Sequence, residues 1–289
     1  PIIRRLLQRL ETLQRSVQRF GEGDLSVRVS EQGQDEVADL ARQFNAAAAR
    51  IEALVKTHKS LLANASHELR SPLTRIRMGL ELMGGNQPSP AFREEILRNI
   101  AELDQLVDEI LLASRLDARE ADVGTVELVD LIGLAAEECA RVDAELDVTA
   151  VPEGLEVRGV AKLLRRALRN LLENARRYSQ GDITVVLQRH DGQAQLSVLD
   201  RGPGVPPALR ERIFEPFYRL PGASERAGGV GLGLALVRSI AQRHNGSVRC
   251  EDQPDGSGGA CFVLRLPLHS PPGTAAPAPA PQRKGTEAK

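Results

Sequence analysis

The chain has 289 residues, 42% of them hydrophobic, which is enough length and apolar content for two or three folded domains. Its 38 basic and 39 acidic side chains nearly cancel, so no field of one sign marks it as a binder of nucleic acid or of an anionic membrane surface. The three cysteines, Cys139, Cys250 and Cys261, are odd in number and lack the spacing of a zinc site, which argues for buried reduced thiols rather than disulfides or metal ligands.

No run approaches the roughly 18 apolar residues of a membrane span and no signal peptide is visible, so this stretch reads as soluble. It starts at Pro1 directly on an amphipathic pattern, and its only methionines are Met78 and Met83. A processed N-terminus and a piece of a longer membrane protein explain that start equally well.

In chain order, apolar residues at Ile3, Leu6, Leu10, Leu13, Val17 and Phe20 alternate steps of three and four, the seam of a coiled coil. Gly21-Glu22-Gly23-Asp24 ends it, and a short extended segment follows from Leu25 to Val29. A second seam begins after Asp35-Glu36 with Val37, Leu40, Phe44, Ala47, Ile51 and Leu54, and runs on through His58, Leu62, Ser66, Leu69, Leu73, Ile76, Leu80 and Met83. The successive four-residue steps 54-58-62-66 depart from a strict heptad and change the local winding, which predicts a strained joint there.

Turn residues from Gly84 to Pro90 predict a break, and a further helix carries Ile96, Ile100, Leu103, Val107 and Ile110. Two long antiparallel helices with a single apolar stripe each bury little alone, so dimerisation into a four-helix bundle is expected.

Near residue 117 the helical period ends. A helix near 130–144, short β segments near 146–158, a helix near 160–177, strands at 183–188 and 195–199, a helix near 231–244 and strands at 247–250 and 260–266 follow. That order predicts an α+β sandwich with helices on one face of a mixed sheet. The Pro- and Ala-rich tail from Ser270 has no apolar period and is expected to be disordered.

His67 lies one residue past the seam, which points it to the flank of the bundle where a reagent can reach it. Histidine as a residue type suits phosphoryl transfer, because a neutral imidazole keeps a nucleophilic lone pair. Glu68 follows directly, and Pro72 removes a backbone donor and can kink the helix. None of the five lysines follows a glycine, which excludes a Walker-type phosphate loop. Asn170 and Asn174 instead stand four apart on one helical face, where amide oxygens can join a Mg²⁺ shell completed by water and phosphate.

Asp200-Arg201-Gly202-Pro203-Gly204 follows a strand. A carboxylate there can accept from an adenine amine, and the glycines let backbone approach the purine. Gly229, Gly231 and Gly233 cluster where a helix begins, exposing N–H groups and a positive dipole end to phosphates.

The strings Ser66-His67-Glu68-Leu69-Arg70-Ser71-Pro72-Leu73-Thr74, Asn170 to Asn174, Asp200 to Gly204 and Gly229 to Leu234, in this order, resemble the sensor histidine kinases of two-component systems over roughly residues 1 to 268. The His67 string most resembles the envelope-stress sensors of proteobacteria. The resemblance implies a HAMP signal relay at 1–54, a dimerisation and histidine-phosphotransfer hairpin at 55–117, a catalytic domain of the GHKL or Bergerat ATP-binding fold at 118–269, and the tail at 270–289.

It implies that His67 is phosphorylated, that Glu68 orients the ring and accepts a proton from its other nitrogen, and that the Ser71 hydroxyl positions water to dephosphorylate a regulator. Asn174 takes the place of the magnesium ligand with Asn170 its neighbour, and Asp200, Gly202 and Gly204 that of the adenine site. Arg177 and Tyr178 stand where the family has a basic phosphate contact and a ring near the nucleotide, although arginine for the commoner lysine changes that geometry. Phe217 and Arg219 belong to an aromatic box beside a mobile lid, and Gly229, Gly231, Leu232, Gly233 and Leu234 to the phosphate loop.

ATP and Mg²⁺ are the implied cofactors. A second copy and a response regulator are the implied partners, with no nucleic acid, and membrane attachment would come through segments preceding Pro1. The chain would then be the cytoplasmic portion of a bacterial inner-membrane protein. A GHKL-type ATPase or serine kinase shares the nucleotide motifs but not the His67 hairpin. A nucleotide-binding scaffold without kinase activity would have no use for an intact Asn174, Asp200 and glycine loop.

Overall fold

Helix formation in the N-terminal region follows the apolar period, and its ends follow local chemistry. In the computed structural model, which describes residues 2–82, 89–117, 124–151, 154–179, 181–221, 230–256 and 258–269, α1 spans Ile2–Gly21, α2 Glu36–Leu82 and α3 Pro90–Asp117. Most of the turn expected at 84–90 and the tail from Ser270 lie outside the described residues. Asp35 caps α2 by accepting the Ala38 amide at 3.0 Å, and it also pairs with Arg9 of α1.

The connector between α1 and α2 has no strand; Asn45 holds it by accepting from the Val29 amide and donating to the Val29 carbonyl, both at 2.8 Å. Phe20 and Phe44 meet edge to face across the two helices, with centroids 5.7 Å apart.

The hairpin helices refine one sequence expectation and correct another. The joint expected at 54–66 involves no break in the backbone, because α2 is one unbroken helix through that stretch and through Pro72. An offset in apolar spacing changes which face is sticky without interrupting backbone hydrogen bonding, and the proline forgoes only the bond it would have given the Glu68 carbonyl. Nor is there a single stripe on each hairpin helix. Leu61, Ala65 and Pro72 of α2 and Leu106, Ala113 and Leu116 of α3 are buried within the chain, and a Cβ on Gly79 would strike the Phe92 ring at 2.4 Å. The seam residues Leu62, Leu73 and Leu80 lie one residue round from that buried line and are exposed, as are Leu97, Ile100, Val107 and Leu111 of α3.

The chain divides into two compact units, the first formed by α1 to α3 with residues 215–221 and 230–236, the second by residues 124–214 and 237–269. In the second, β2 (Glu145–Asp147), β4 (Thr184–His190), β5 (Gln193–Leu199), β7 (Cys261–Pro267) and β6 (Ser247–Glu251) form a mixed sheet in the order β2-β4-β5-β7-β6. Only β2 and β4 pair in parallel. A strand not expected from sequence, β1 (Glu127–Asp130), pairs antiparallel with β3 (Glu156–Gly159). Asp130 then caps α4 (Leu131–Val142), accepting from the amides of Ile132 and Gly133 at 3.0 and 3.1 Å.

Helix α5 (Ala161–Tyr178) buries Leu164, Leu168, Leu171 and Ala175, while Val185, Leu187, Val198 and Phe262 supply the sheet's side of the core. Glu138 of α4 is 2% exposed and accepts a two-pronged bond from Arg169 of α5 at 2.8 and 2.9 Å. All three cysteines are free and buried, as expected, and burial raises their thiols to about 11 for Cys139 and Cys261 and about 12 for Cys250.

Candidate functional site

His67, the expected phospho-acceptor, sits where the helical period puts it. His67 is exposed on α2, Glu68 beside it is half-buried, and Ser71 stands one turn further on, also exposed. Arg75, another turn along, was not singled out by sequence. Its guanidinium donates to Ser71 Oγ at 3.0 Å, to Asn99 Oδ1 of α3 at 2.7 Å and to Glu102 Oε2 of α3 at 2.7 Å.

The first unit also holds the segment expected to be an aromatic box and most of the glycine loop. Phe217 donates its amide to the Gly231 carbonyl at 2.9 Å, and Arg219 Nη2 lies 3.6 Å from Glu68 Oε2. Arg219 is thus set against the carboxylate next to His67. Leu232 is fully buried, and its carbonyl accepts from the Leu236 amide at 2.9 Å. Gly233 opens α6 (Gly233–Arg243), with Leu234 half-buried behind it. Gly229 lies outside the described residues.

The second unit holds the rest. Asn170 and Asn174 share one face of α5; the first is 5% exposed and the second half-buried, with Arg177 and Tyr178 exposed at the helix end. Asp200 follows β5 and is 2% exposed, its Oδ1 accepting from the amides of Gly202 at 2.8 Å and Ala260 at 3.1 Å. Gln253, missed by sequence reasoning, donates to the Asp200 carbonyl. Glycine is required at 202, where a Cβ would stand 2.6 Å from the Tyr178 carbonyl, and at 204, which holds φ +73° with a Cβ position 3.0 Å from the Gly259 carbonyl.

His244 at the end of α6 was also missed. Its Nε2 accepts from the Val160 amide at 3.0 Å at the start of α5, and its Nδ1 donates to the Ile240 carbonyl at 2.7 Å, which fixes the neutral tautomer. Burial, together with the nearby Arg243 charge, lowers its pKa from the ordinary value of 6.5.

The groups of the second unit fit a magnesium nucleotide. Among the described residues, no group of three or more His, Cys, Asp or Glu converges to cage a metal. The donor set of the α5 face is amide oxygen, which suits an ion that keeps waters and phosphate oxygens in its shell. The buried Asp200 carboxylate, fixed by two amides on one oxygen, suits recognition of a flat donor base.

Comparison with known proteins follows the same division. Residues 2–53 match the HAMP domain, 57–119 the His Kinase A (phospho-acceptor) domain, and 159–270 the Histidine kinase-, DNA gyrase B-, and HSP90-like ATPase. The sensor protein RstB of Escherichia coli is 36% identical over 89% of this chain and 59% of its own length, and the sensor histidine kinase CpxA of the same species 35% over 83% and 53%. The signal transduction histidine-protein kinase/phosphatase MprB of a Mycobacterium species is 35% identical over 81% of this chain and 48% of its own. The chain therefore spans about half to three-fifths of the length of these relatives.

Among solved structures, the Acinetobacter baumannii histidine kinase AdeS superposes with a TM-score of 0.58 at 22% identity over 71% of this chain and 98% of that one. Histidine kinase ThkA, in its complex with response regulator protein TrrA, superposes with 0.60 at 24% over 81% and 68%. Both likenesses concern the fold. With these three domains in this order, and relatives of that name along most of its length, the chain belongs to the sensor histidine kinases.

Proposed function

We propose that this chain is the signalling and catalytic portion of a dimeric, Mg·ATP-dependent protein-histidine kinase. It transfers the γ-phosphoryl of ATP to His67 and from there to an aspartate of a response regulator. The observation that carries the reading is the placement of His67, solvent-accessible on α2 with the carboxylate of Glu68 adjacent. An imidazole nitrogen forms the new N–P bond as the bond from the γ-phosphorus to the bridging oxygen breaks, and ADP leaves with that electron pair. Glu68 takes the proton from the other nitrogen.

Phosphoryl transfer of this kind depends on positioning and charge neutralisation more than on covalent help. Asp200 holds the base, the amides of the glycine loop face the phosphates, and Asn174 holds the ion with Asn170 beside it. Bound Mg²⁺ supplies charge neutralisation on the phosphate oxygens. Arg177, Tyr178 and Phe217 complete the surroundings of the nucleotide. Arg219, beside Glu68, is a further cation available to the phosphates.

The exposed seams on α1, α2 and α3 support a homodimer, since large side chains such as Leu73, Leu80 and Leu111 gain only when a second copy covers them. A relative named as kinase and phosphatase supports a second activity, dephosphorylation of the regulator with Ser71 positioning water. Among the described residues no helix is long and apolar enough to cross a membrane. The HAMP match and the relatives named as sensors support attachment to an inner membrane, with this portion on the cytoplasmic side.

The test is incubation with Mg·[γ-³²P]ATP. Label on wild type that is acid-labile and alkali-stable, and absent from His67→Gln, is the expected result. Label retained by His67→Gln overturns the acceptor. Acid-stable label would favour a serine kinase of the same nucleotide fold, and release of phosphate with no labelled protein would favour an ATPase.

A further inference from the structure

We propose that Arg75 is the positioning residue for Ser71 in regulator dephosphorylation, and that through Arg75 helix α3 sets the geometry of the Ser71 hydroxyl. The inference rests on the reading of Ser71 as the water-positioning group and adds what controls it.

A serine hydroxyl on a helix has a competing use, the carbonyl four residues back. Two neighbours on α2 take it: Ser66 Oγ donates to the Leu62 carbonyl and Thr74 Oγ1 to the Arg70 carbonyl, each at 2.8 Å. Ser71 instead meets Arg75. Arginine has no acceptor, so the 3.0 Å bond between them runs one way, from Nη1 to Ser71 Oγ. That occupies one lone pair of the hydroxyl oxygen and leaves the other, along with the O–H itself, toward solvent.

The donor is itself fixed. A guanidinium is planar, and its N–H bonds leave in set directions. Nε is spent on Asn99 Oδ1 and Nη2 on Glu102 Oε2, both at 2.7 Å. Asn99 is 6% exposed, and its own amide donates to the Glu95 carbonyl at 2.9 Å, so the anchor on α3 cannot turn. With two directions held by α3, the third defines where Ser71 Oγ rests. Serine lacks the methyl by which threonine restricts χ1; here a hydrogen bond supplies that restriction.

The chemistry needs such an oxygen. In hydrolysis of an aspartyl phosphate, a water donates one O–H to the remaining Ser71 lone pair and turns its own lone pair to phosphorus. The new P–O bond forms as the acyl P–O bond breaks. The electron pair leaves with the aspartate carboxylate, and the water's other proton passes to solvent as inorganic phosphate departs. As a mere brace between exposed charges, the Arg75–Glu102 pair would contribute little.

The experiment uses the dimer of this chain with ADP and Mg²⁺. Its probe is the response regulator of the same genome that takes phosphate fastest from phospho-His67, charged with acetyl phosphate. Release of inorganic phosphate is followed for Ser71→Ala, Arg75→Gln and Arg75→Gln with Ser71→Thr, with thermal unfolding as the control for folding.

Arg75→Gln is expected to lower kcat about five- to tenfold at unchanged KM, and adding Ser71→Thr to restore it to within about twofold, because a β-branched hydroxyl restricts its own rotamer. A wild-type rate in Arg75→Gln overturns the proposal. So does a slow Arg75→Gln that Ser71→Thr does not restore, which would make Arg75 a structural brace. Ser71→Ala at the wild-type rate removes the underlying reading of Ser71, whereas a slow Ser71→Ala beside an unaffected Arg75→Gln sinks Arg75 alone.

Discussion

The amide of Phe217 donates to the carbonyl of Gly231 at 2.9 Å, and both residues hold left-handed backbone, with φ of +63° and +81°. For glycine that conformation is nearly free, whereas for a bulky residue it costs roughly 1–3 kcal/mol and persists only where its surroundings impose it. The two residues close the chain on itself on either side of the intervening segment, at the first turn of the glycine loop.

Gly231→Ala should therefore disturb the loop before it disturbs the fold. A Cβ at 231 would lie 2.9 Å from the Phe217 carbonyl carbon and 3.0 Å from its Cα, both backbone. We expect ATP affinity by calorimetry to fall about tenfold or more, with thermal unfolding shifted by only a few degrees. Wild-type affinity would show that the clasp has no part in the nucleotide site.

Asp200→Asn and Asn174→Ala should weaken nucleotide by different routes. Asparagine at 200 keeps an oxygen for the amides of Gly202 and Ala260 but replaces the charged acceptor, so ATP affinity should fall about tenfold or more with and without Mg²⁺. Asn174→Ala should lose chiefly the increment that Mg²⁺ adds. If Asp200→Asn binds ATP as wild type does, the adenine has been placed wrongly.

Glu138→Gln tests the pair that ties α4 to the Asn-bearing helix. The Arg169 guanidinium holds the Glu138 carboxyl below its ordinary value of 4.5 against the opposing effect of burial. A depressed carboxylate contributes stability that is present above 4.5 and lost as pH falls through its folded value. The variant should lose about 2–3 kcal/mol at pH 7 in urea unfolding and show a shallower decline in acid. An unchanged acid limb would mean that other carboxylates dominate it.

His244 has the opposite charge logic. Its pKa is lowered in the folded state, so the unfolded chain binds the proton more readily and stability falls as pH drops below about 6.5. Protonation would also remove the acceptor that receives the Val160 amide. Thermal unfolding should therefore decline between pH 7.5 and 5.5 by at most about 1.4 kcal/mol per pH unit from this site. His244→Gln should flatten that decline; an equal slope in both proteins would assign it elsewhere.

What the sequence made legible was what is local along the chain. His67, Glu68 and the glycines are written in contiguous strings, and the exposure of His67 follows from its standing one residue off a periodic line. The buried cysteines followed from their lack of ligand spacing. Strand β1 escaped because only one of its four residues, Val129, is buried, leaving no alternation to read.

Arg75, Gln253 and His244 escaped for another reason. Their partners lie 24 and 27, 53, and 84 residues away, and no periodicity within a single element encodes such a meeting. The buried line of α2 was hidden beside a more conspicuous one, since Ala65 and Pro72 carry a weaker apolar signature than Leu62 and Leu73.

Helix α2 has 47 residues without interruption, a rod of about 70 Å. Each four-residue step in its apolar line advances about 40° around the axis, so three in succession carry the sticky face through about 120° between Leu54 and Ser66. With no break between the Asp35 end and His67, a twist applied at one end is passed along the helix toward the other. What travels down such a shaft is angle. A partner helix gripping it at one azimuth or another decides which way the imidazole faces, and neither the length of the rod nor its hydrogen bonding has to change.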